Sequence, residues 1–249
     1  MPTQDDTTHT NEDITSVLTE DAPHNNVSLI ESERSMIVCP KSQLPVDPEI
    51  VRYQYYNSFN YSVLAQPREN VKLILGITSP NEGEGKTTTA ANLAVSLTLG
   101  SRKRTLIIDM NLKSPRLHDI FGAGNGPGLI EALHGAPINI IPTALDNLYV
   151  LTAGRNSSKL NSRAAIGIEY TSAFGEVLHR VESEFDFVIV DMPALSRREF
   201  PILFINHLHG LLVVVELGKT KRRDVDKIFR QLNNNQVLGF VFNRVPEDD

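Results

Sequence analysis

The stretch Thr78-Ser79-Pro80-Asn81-Glu82-Gly83-Glu84-Gly85-Lys86-Thr87-Thr88-Thr89 lies between two apolar runs, residues 71–77 before it and residues 90–97 after it. The first run reads as a buried strand and the second as a helix, so the order is strand, glycine-rich loop, helix. Gly83 and Gly85 let the backbone turn tightly and aim its N–H groups inward at an anion. The helix that follows adds its positive N-terminal end. Lys86 is then placed to reach the β- and γ-phosphates of a nucleotide, and the Thr87 hydroxyl to ligate Mg²⁺. Asn81, Glu82, Gly83, Glu84, Gly85, Lys86, Thr87 and Thr88 together form the candidate nucleotide cradle. The strict pattern has a glycine where this chain has Pro80.

Composition sets the frame around this motif. A chain of 249 residues that is 41% hydrophobic is expected to hold one domain with a large core. Residues 1–46 carry eight acids against Arg34 and Lys41, a net charge of −6, and the whole chain is also −6, so residues 47–249 balance at zero. A neutral domain with an acidic tail offers no electrostatic footprint for nucleic acid. Cys39 is the single cysteine, which excludes an internal disulfide and fits a reducing compartment. No apolar run reaches the roughly 18–20 residues that span a bilayer, and the acidic start does not resemble a secretory signal. A cytoplasmic protein is expected.

In chain order, residues 1–46 read as an acidic, disordered tail with too little apolar surface to offset ordering entropy. Short patches such as Val27–Ile30 and Met36–Val38 are candidates for docking on a partner. Residues 47–249 form the domain, with an N-terminal helix at 47–66 and a nucleotide-binding core at 71–246. Asp47-Pro48 is a helix start, with Asp47 as N-cap. Tyr53, Tyr55, Tyr56 and Tyr61 supply four of the six tyrosines. They read either as an aromatic packing face or as phosphate acceptors. Gly100 is expected to end the P-loop helix. Apolar runs at 104–111 and 185–191 read as parallel strands and carry Asp109 and Asp191 at their C-terminal ends. Short strands are expected at 138–141 and 148–151, an amphipathic helix at 173–184, a strand at 211–216, a helix at 223–232 and a last strand at 237–243. Alternating strands and helices imply an α/β fold, a mostly parallel P-loop sheet with helices on both faces.

In such sheets the ligand sits at the carboxyl ends of the strands. That brings the P-loop, Asp109, Asp191 and Asn243 to one rim. Asp191 is placed to hold Mg²⁺ directly or through water. Asp109 is placed to bind the metal shell or to accept a proton from an attacking hydroxyl. Lys86, Asp109 and Asp191 are the candidate catalytic residues. Asn243 carries an amide suited to an adenine edge, or else turns the chain. His118 reads as a helix-surface, packing or catalytic histidine. Arg197 or Arg198 could reach a phosphate. Lys219, Lys221, Arg222, Arg223 and Lys227 form a basic cluster that reads as a solvated face or as a surface for acidic tails or lipid headgroups.

These residues resemble the bacterial tyrosine kinases (BY-kinases) of capsule and exopolysaccharide export over about residues 47–246. Residues 77–93 are similar to that family's Walker A region. Leu106-Ile107-Ile108-Asp109-Met110-Asn111-Leu112-Lys113-Ser114-Pro115-Arg116-Leu117-His118 resembles its Walker A′ segment. Gly128–Gly135, Phe185–Pro193 and Gly218–Arg223 follow in family order. The resemblance implies a P-loop fold related to the Min and Par ATPases, with ATP and Mg²⁺ as cofactors. It also implies transfer of the γ-phosphate to tyrosine, including autophosphorylation. The implied partner is a membrane-embedded polysaccharide chain-length regulator, with homo-oligomerisation and recruitment to the inner face of the plasma membrane.

Several positions depart from the family pattern. Its Asp-x-Asp-x-Arg is here Asp109-Met110-Asn111-Leu112-Lys113, and Asn111 can offer Mg²⁺ a carbonyl oxygen but no charge and no base. Glu82 replaces a proline. Tyr55 replaces the second arginine of a self-association motif that here spans residues 49–57. No tyrosine follows Tyr170, so the expected self-substrate is the 53–61 cluster. Two other readings stay open: an ATP-dependent regulatory switch without kinase activity, and a Par/Min-type partitioning ATPase. Asn81 stands where those ATPases carry a second lysine, which disfavours the latter.

Overall fold

Strands apolar at every position need cover on both faces, and one sheet with helices on either side provides it. The computed structural model describes residues 37–40, 72–155, 168–197, 200–232 and 236–245. The chain runs β1 (Ile37–Pro40), β2 (Leu73–Thr78), α1 (Lys86–Ser101), β3 (Thr105–Asp109), α2 (Leu117–Ile120), α3 (Leu129–Leu133), β4 (Ile141–Pro142) and β5 (Leu148–Leu151). It continues through α4 (Ile168–Glu182), β6 (Phe187–Asp191), a 3-10 turn (Ile202–His207), β7 (Gly210–Glu216), α5 (Arg222–Gln231) and β8 (Val237–Val245). The strands lie in the order β1-β8-β7-β2-β6-β3-β5-β4. Neighbours are parallel throughout except for β4 against β5.

Alternation along each strand divides the core in two. Leu75, Ile77, Ile107, Ile189 and Val214 face α1, where they meet Leu93, Ala94 and Leu97. Ile74, Leu106, Ile108, Val188, Val190 and Val213 point the other way, towards Phe174, Val177 and Leu178 of α4 and Val225 and Ile228 of α5. Each fully buried Leu or Ile contributes about 1.5–3 kcal/mol relative to exposure. Gly76 of β2 sits where a Cβ would come within 2.5 Å of Leu211 Cδ2 and 2.8 Å of Met192 Sδ, so the strand passes only without a side chain. Asp109 and Asp191 continue the α1-facing register of Ile107 and Ile189. The sheet therefore aims both carboxylates at the side where α1 begins.

The structure differs from the sequence expectations at several boundaries. Gly100 lies inside α1; the helix stops at Arg102, which takes the left-handed conformation (φ 55°) and donates its N–H to Thr98 O at 3.0 Å. Arg102 fills the role a glycine usually takes. The strand expected at 138–141 shrinks to Ile141–Pro142, since Ile138 and Ile140 pack against the core instead. Pro142 has no N–H, which suits it to an edge. The segment read as tail up to residue 46 includes β1, whose Ile37 and Val38 pair with Val241 and Phe242 of β8. An unpaired strand edge is a ready template for such an addition. The proposed helix at 47–66, its tyrosine cluster, the motif at 49–57 and Arg198 lie outside the described residues.

Because a non-glycine residue in the left-handed region is strained, Arg102→Gly is expected to raise stability by about 0.5–1 kcal/mol. A urea-unfolding midpoint that fell instead would show that the Arg102 side chain matters more than its backbone.

Candidate functional site

The loop between β2 and α1 is bent by Gly83 (φ 82°) and Gly85 (φ 93°), both left-handed. Gly85 is the N-cap of α1, and no side chain caps the helix and no acid lies in its first turn. The first N–H groups of α1 are thus left for a ligand, which is the chemistry of an anion site. Lys86 opens the helix and is 8% exposed. Thr87 follows, its hydroxyl donating to Asp191 Oδ2 at 2.7 Å, and Thr88 is half-buried beside it.

Asp109 and Asp191 are register partners at the ends of the adjacent strands β3 and β6, both fully buried. Asp109 accepts the N–H groups of Asn111 (3.1 Å), Arg116 (3.0 Å) and Leu117 (3.0 Å). Asp191 Oδ1 is buried without a hydrogen-bond partner. Burial pushes the Asp191 carboxyl up to about 8, the neighbouring Asp109 adds to the rise, and Lys86 and the Thr87 hydroxyl oppose it. Burial also raises Asp109, to about 6, against the three backbone donors and the nearby His118. Two adjacent buried carboxylates with one orphaned oxygen fit a divalent cation, which supplies the positive charge the pair lacks.

An anion-binding loop that contains two glutamates needs an explanation. Glu84 is 2% exposed and turns its carboxylate to the back of the loop. There it accepts Asn81 N (2.8 Å), Asn81 Nδ2 (3.2 Å) and the Thr220 hydroxyl (2.6 Å). Thr220 itself accepts Glu216 N at 2.9 Å, and Asn81 Nδ2 also lies 3.5 Å from Asp224 Oδ2. The loop is thereby tied to the turn between β7 and α5. Glu82 instead pairs with Arg197.

Asn243, at the end of β8, donates Nδ2 to Glu84 O at 2.9 Å and accepts Arg244 N at 2.9 Å through its side-chain oxygen. A Cβ on Gly85 would come within 2.0 Å of Asn243 Nδ2, so the amide is wedged under the loop. Asn111 donates Nδ2 to Ser114 O at 3.1 Å, which closes the turn after β3. His118 lies on α2 with Nδ1 buried and unpartnered and Nε2 3.3 Å from Asp119 Oδ1. The basic cluster is partly neutralised: Lys227 bonds Asp224 at 2.9 Å, Lys219 bonds Glu216 at 3.2 Å, and Arg223 Nε lies 3.9 Å from Asp224. Sequence reasoning gave Thr220, within the 218–223 stretch, and Asp224 no role at the loop. Thr220 lies 136 positions from Glu84 and has no local signature of a loop brace.

A glycine loop, a buried lysine and paired strand-end carboxylates on a parallel sheet define a P-loop nucleotide-binding domain. The family model of the CobQ/CobB/MinD/ParA nucleotide binding domain matches residues 75–249. Tyrosine-protein kinase CpsD of Streptococcus agalactiae serotype Ia is 30% identical over 200 residues, which cover 78% of this chain and 83% of the relative. Succinoglycan biosynthesis transport protein ExoP of Rhizobium meliloti is 31% identical over 176 residues, covering 69% of this chain but 22% of that longer protein. Among solved structures, the chimerical protein CapA2B2 aligns with a TM-score of 0.75 and 25% identity over 96% of this chain and 100% of its own. The chain belongs to this nucleotide-binding family and, within it, to the bacterial tyrosine kinases of the CpsD type. No helix among the described residues is long and apolar enough to cross a membrane.

Two outcomes are expected from this geometry. Both aspartates have folded-state values above their ordinary 3.8, so their contribution to stability is complete below that value. It is lost as pH rises through about 6 and then about 8. In EDTA the urea midpoint is expected to fall from about pH 4 to about pH 8, with a flatter profile for Asp191→Asn. Thr220→Val removes one donor from the buried Glu84 carboxylate and is expected to cost about 1–3 kcal/mol. The same denaturation measurement would show no loss if the turn and the P-loop were independent.

Proposed function

We propose that the protein binds ATP with Mg²⁺ and transfers the γ-phosphate to tyrosine hydroxyls, its own included, in exopolysaccharide or capsule biosynthesis. The observation that carries this reading is the meeting of Lys86, Thr87, Asp109 and Asp191 at the start of α1. The N–H groups of Gly83–Thr88 and the Lys86 ammonium would hold the phosphates, and Thr87 and Asp191 the metal. MgATP supplies the transferable phosphoryl group. Asp109 would take the proton of an attacking tyrosine hydroxyl. The name of the succinoglycan biosynthesis transport relative supports the polysaccharide setting. A membrane-embedded polysaccharide chain-length regulator is the proposed partner, which would bring the protein to the inner face of the plasma membrane.

A second reading rests on Asn111. Its amide is committed to Ser114 O, and it carries no charge where the family pattern has an aspartate. The site then binds nucleotide and changes the loops around it without transferring phosphate.

Incubation with labelled ATP and Mg²⁺, with and without the regulator, separates the two. Phosphotyrosine in the wild-type protein, abolished by Lys86→Ala, is the expected result. If only Asn111→Asp labels, with a gain of roughly 10²–10⁴, the native protein is the switch. Lys86→Ala with undiminished ATP affinity would refute both.

A further inference from the structure

Glu82 and Arg197 form a contact that ATP binding as proposed above does not use. The stretch after β6 is strapped to the P-loop, with Leu195 N donating to Ser79 O at 2.8 Å and Ser196 N to Pro80 O at 2.9 Å. This brings Arg197 Nε onto the Glu82 carboxylate. Another guanidinium nitrogen lies 3.5 Å from Ser114 Oγ in the turn after β3. One arginine thus spans the two loops that flank Lys86, Asp109 and Asp191.

The chemistry of the pair is asymmetric. The Arg197 guanidinium presents a rigid fork of donors that matches phosphate. Its side chain is 18% exposed, whereas Glu82 is 55% exposed, so the acid is readily solvated when released. An ion pair with one partner largely in water is weak. A bidentate bond from arginine to a phosphate is among the stronger polar contacts. Glu84 is held by three donors, whereas the more exposed Glu82 pairs with Arg197.

We propose that Arg197 is a specificity residue for the terminal phosphate: the γ-phosphate of a nucleoside triphosphate displaces Glu82 from the guanidinium, and a diphosphate does not. Glu82 sets the threshold for that exchange, so the pair makes the site discriminate ATP from ADP. This rests on the nucleotide-binding reading of the same site.

The test is calorimetry of the full chain with Mg²⁺ and either ADP or a non-hydrolysable ATP analogue. Arg197→Met is expected to weaken the triphosphate analogue roughly tenfold while leaving ADP nearly unchanged. Arg197→Lys keeps part of the preference, and Glu82→Gln tightens the analogue more than ADP. The Glu82→Gln/Arg197→Met double variant is expected to behave like Arg197→Met. Equal losses for both nucleotides would overturn the inference, as would wild-type behaviour of the double variant, because Arg197 would then only neutralise Glu82. A wild-type protein that binds neither nucleotide removes the nucleotide reading and this inference together; binding with an unchanged ATP-to-ADP ratio in Arg197→Met removes the inference alone. Circular dichroism melting of each variant separates these outcomes from misfolding.

Discussion

Asp109 and Asp191 are buried side by side at the ends of β3 and β6. Two carboxylates in that position cannot both be charged without help, since each is desolvated and each repels the other. The surrounding structure answers that electrostatic problem. Lys86 brings positive charge from the start of α1, Thr87 donates to Asp191, and three backbone N–H groups converge on Asp109. The orphaned Asp191 oxygen marks where more positive charge belongs. Parallel pairing of β3 and β6 puts the two acids in register. A slip of one residue would send one of them to the opposite face.

The P-loop is held from the far side as firmly as from the near one. Three elements outside it, namely the stretch after β6, the turn between β7 and α5, and the end of β8, each contribute hydrogen bonds to it. The loop's N–H groups can then face a ligand without the backbone rearranging, which is how preorganised donors gain their strength. Glu84 shows the same logic in an acid. Its charge is kept from the phosphate side by donors behind the loop, so a carboxylate in an anion site serves as a tether. The turn that carries Thr220 also begins the basic helix α5, so the charged surface and the nucleotide loop share one set of hydrogen bonds.

Much of this was legible along the chain. The P-loop announces itself because its requirements are local: glycines for left-handed turns, then a lysine and a threonine on the first turn of a helix. Asp109 and Asp191 were legible because apolar, β-branched runs end on them, and parallel sheets gather such ends on one rim. Arg102 was not, because helix termination there depends on a strained backbone that no residue preference signals. The apolar run at 138–141 yields only the short β4 because Ile138 and Ile140 join the core through their side chains rather than through strand pairing.

The residue order therefore decided the class of fold, the loop that cradles an anion and the acids that could accompany it, since each follows from spacing within a few residues. Folding decided who holds whom. Thr87 meets Asp191 across 104 positions, Thr220 meets Glu84 across 136, and Asn243 meets Glu84 across 159. Contacts over such separations depend on strand order and register, which emerge when the whole sheet is packed. No short stretch of sequence encodes them.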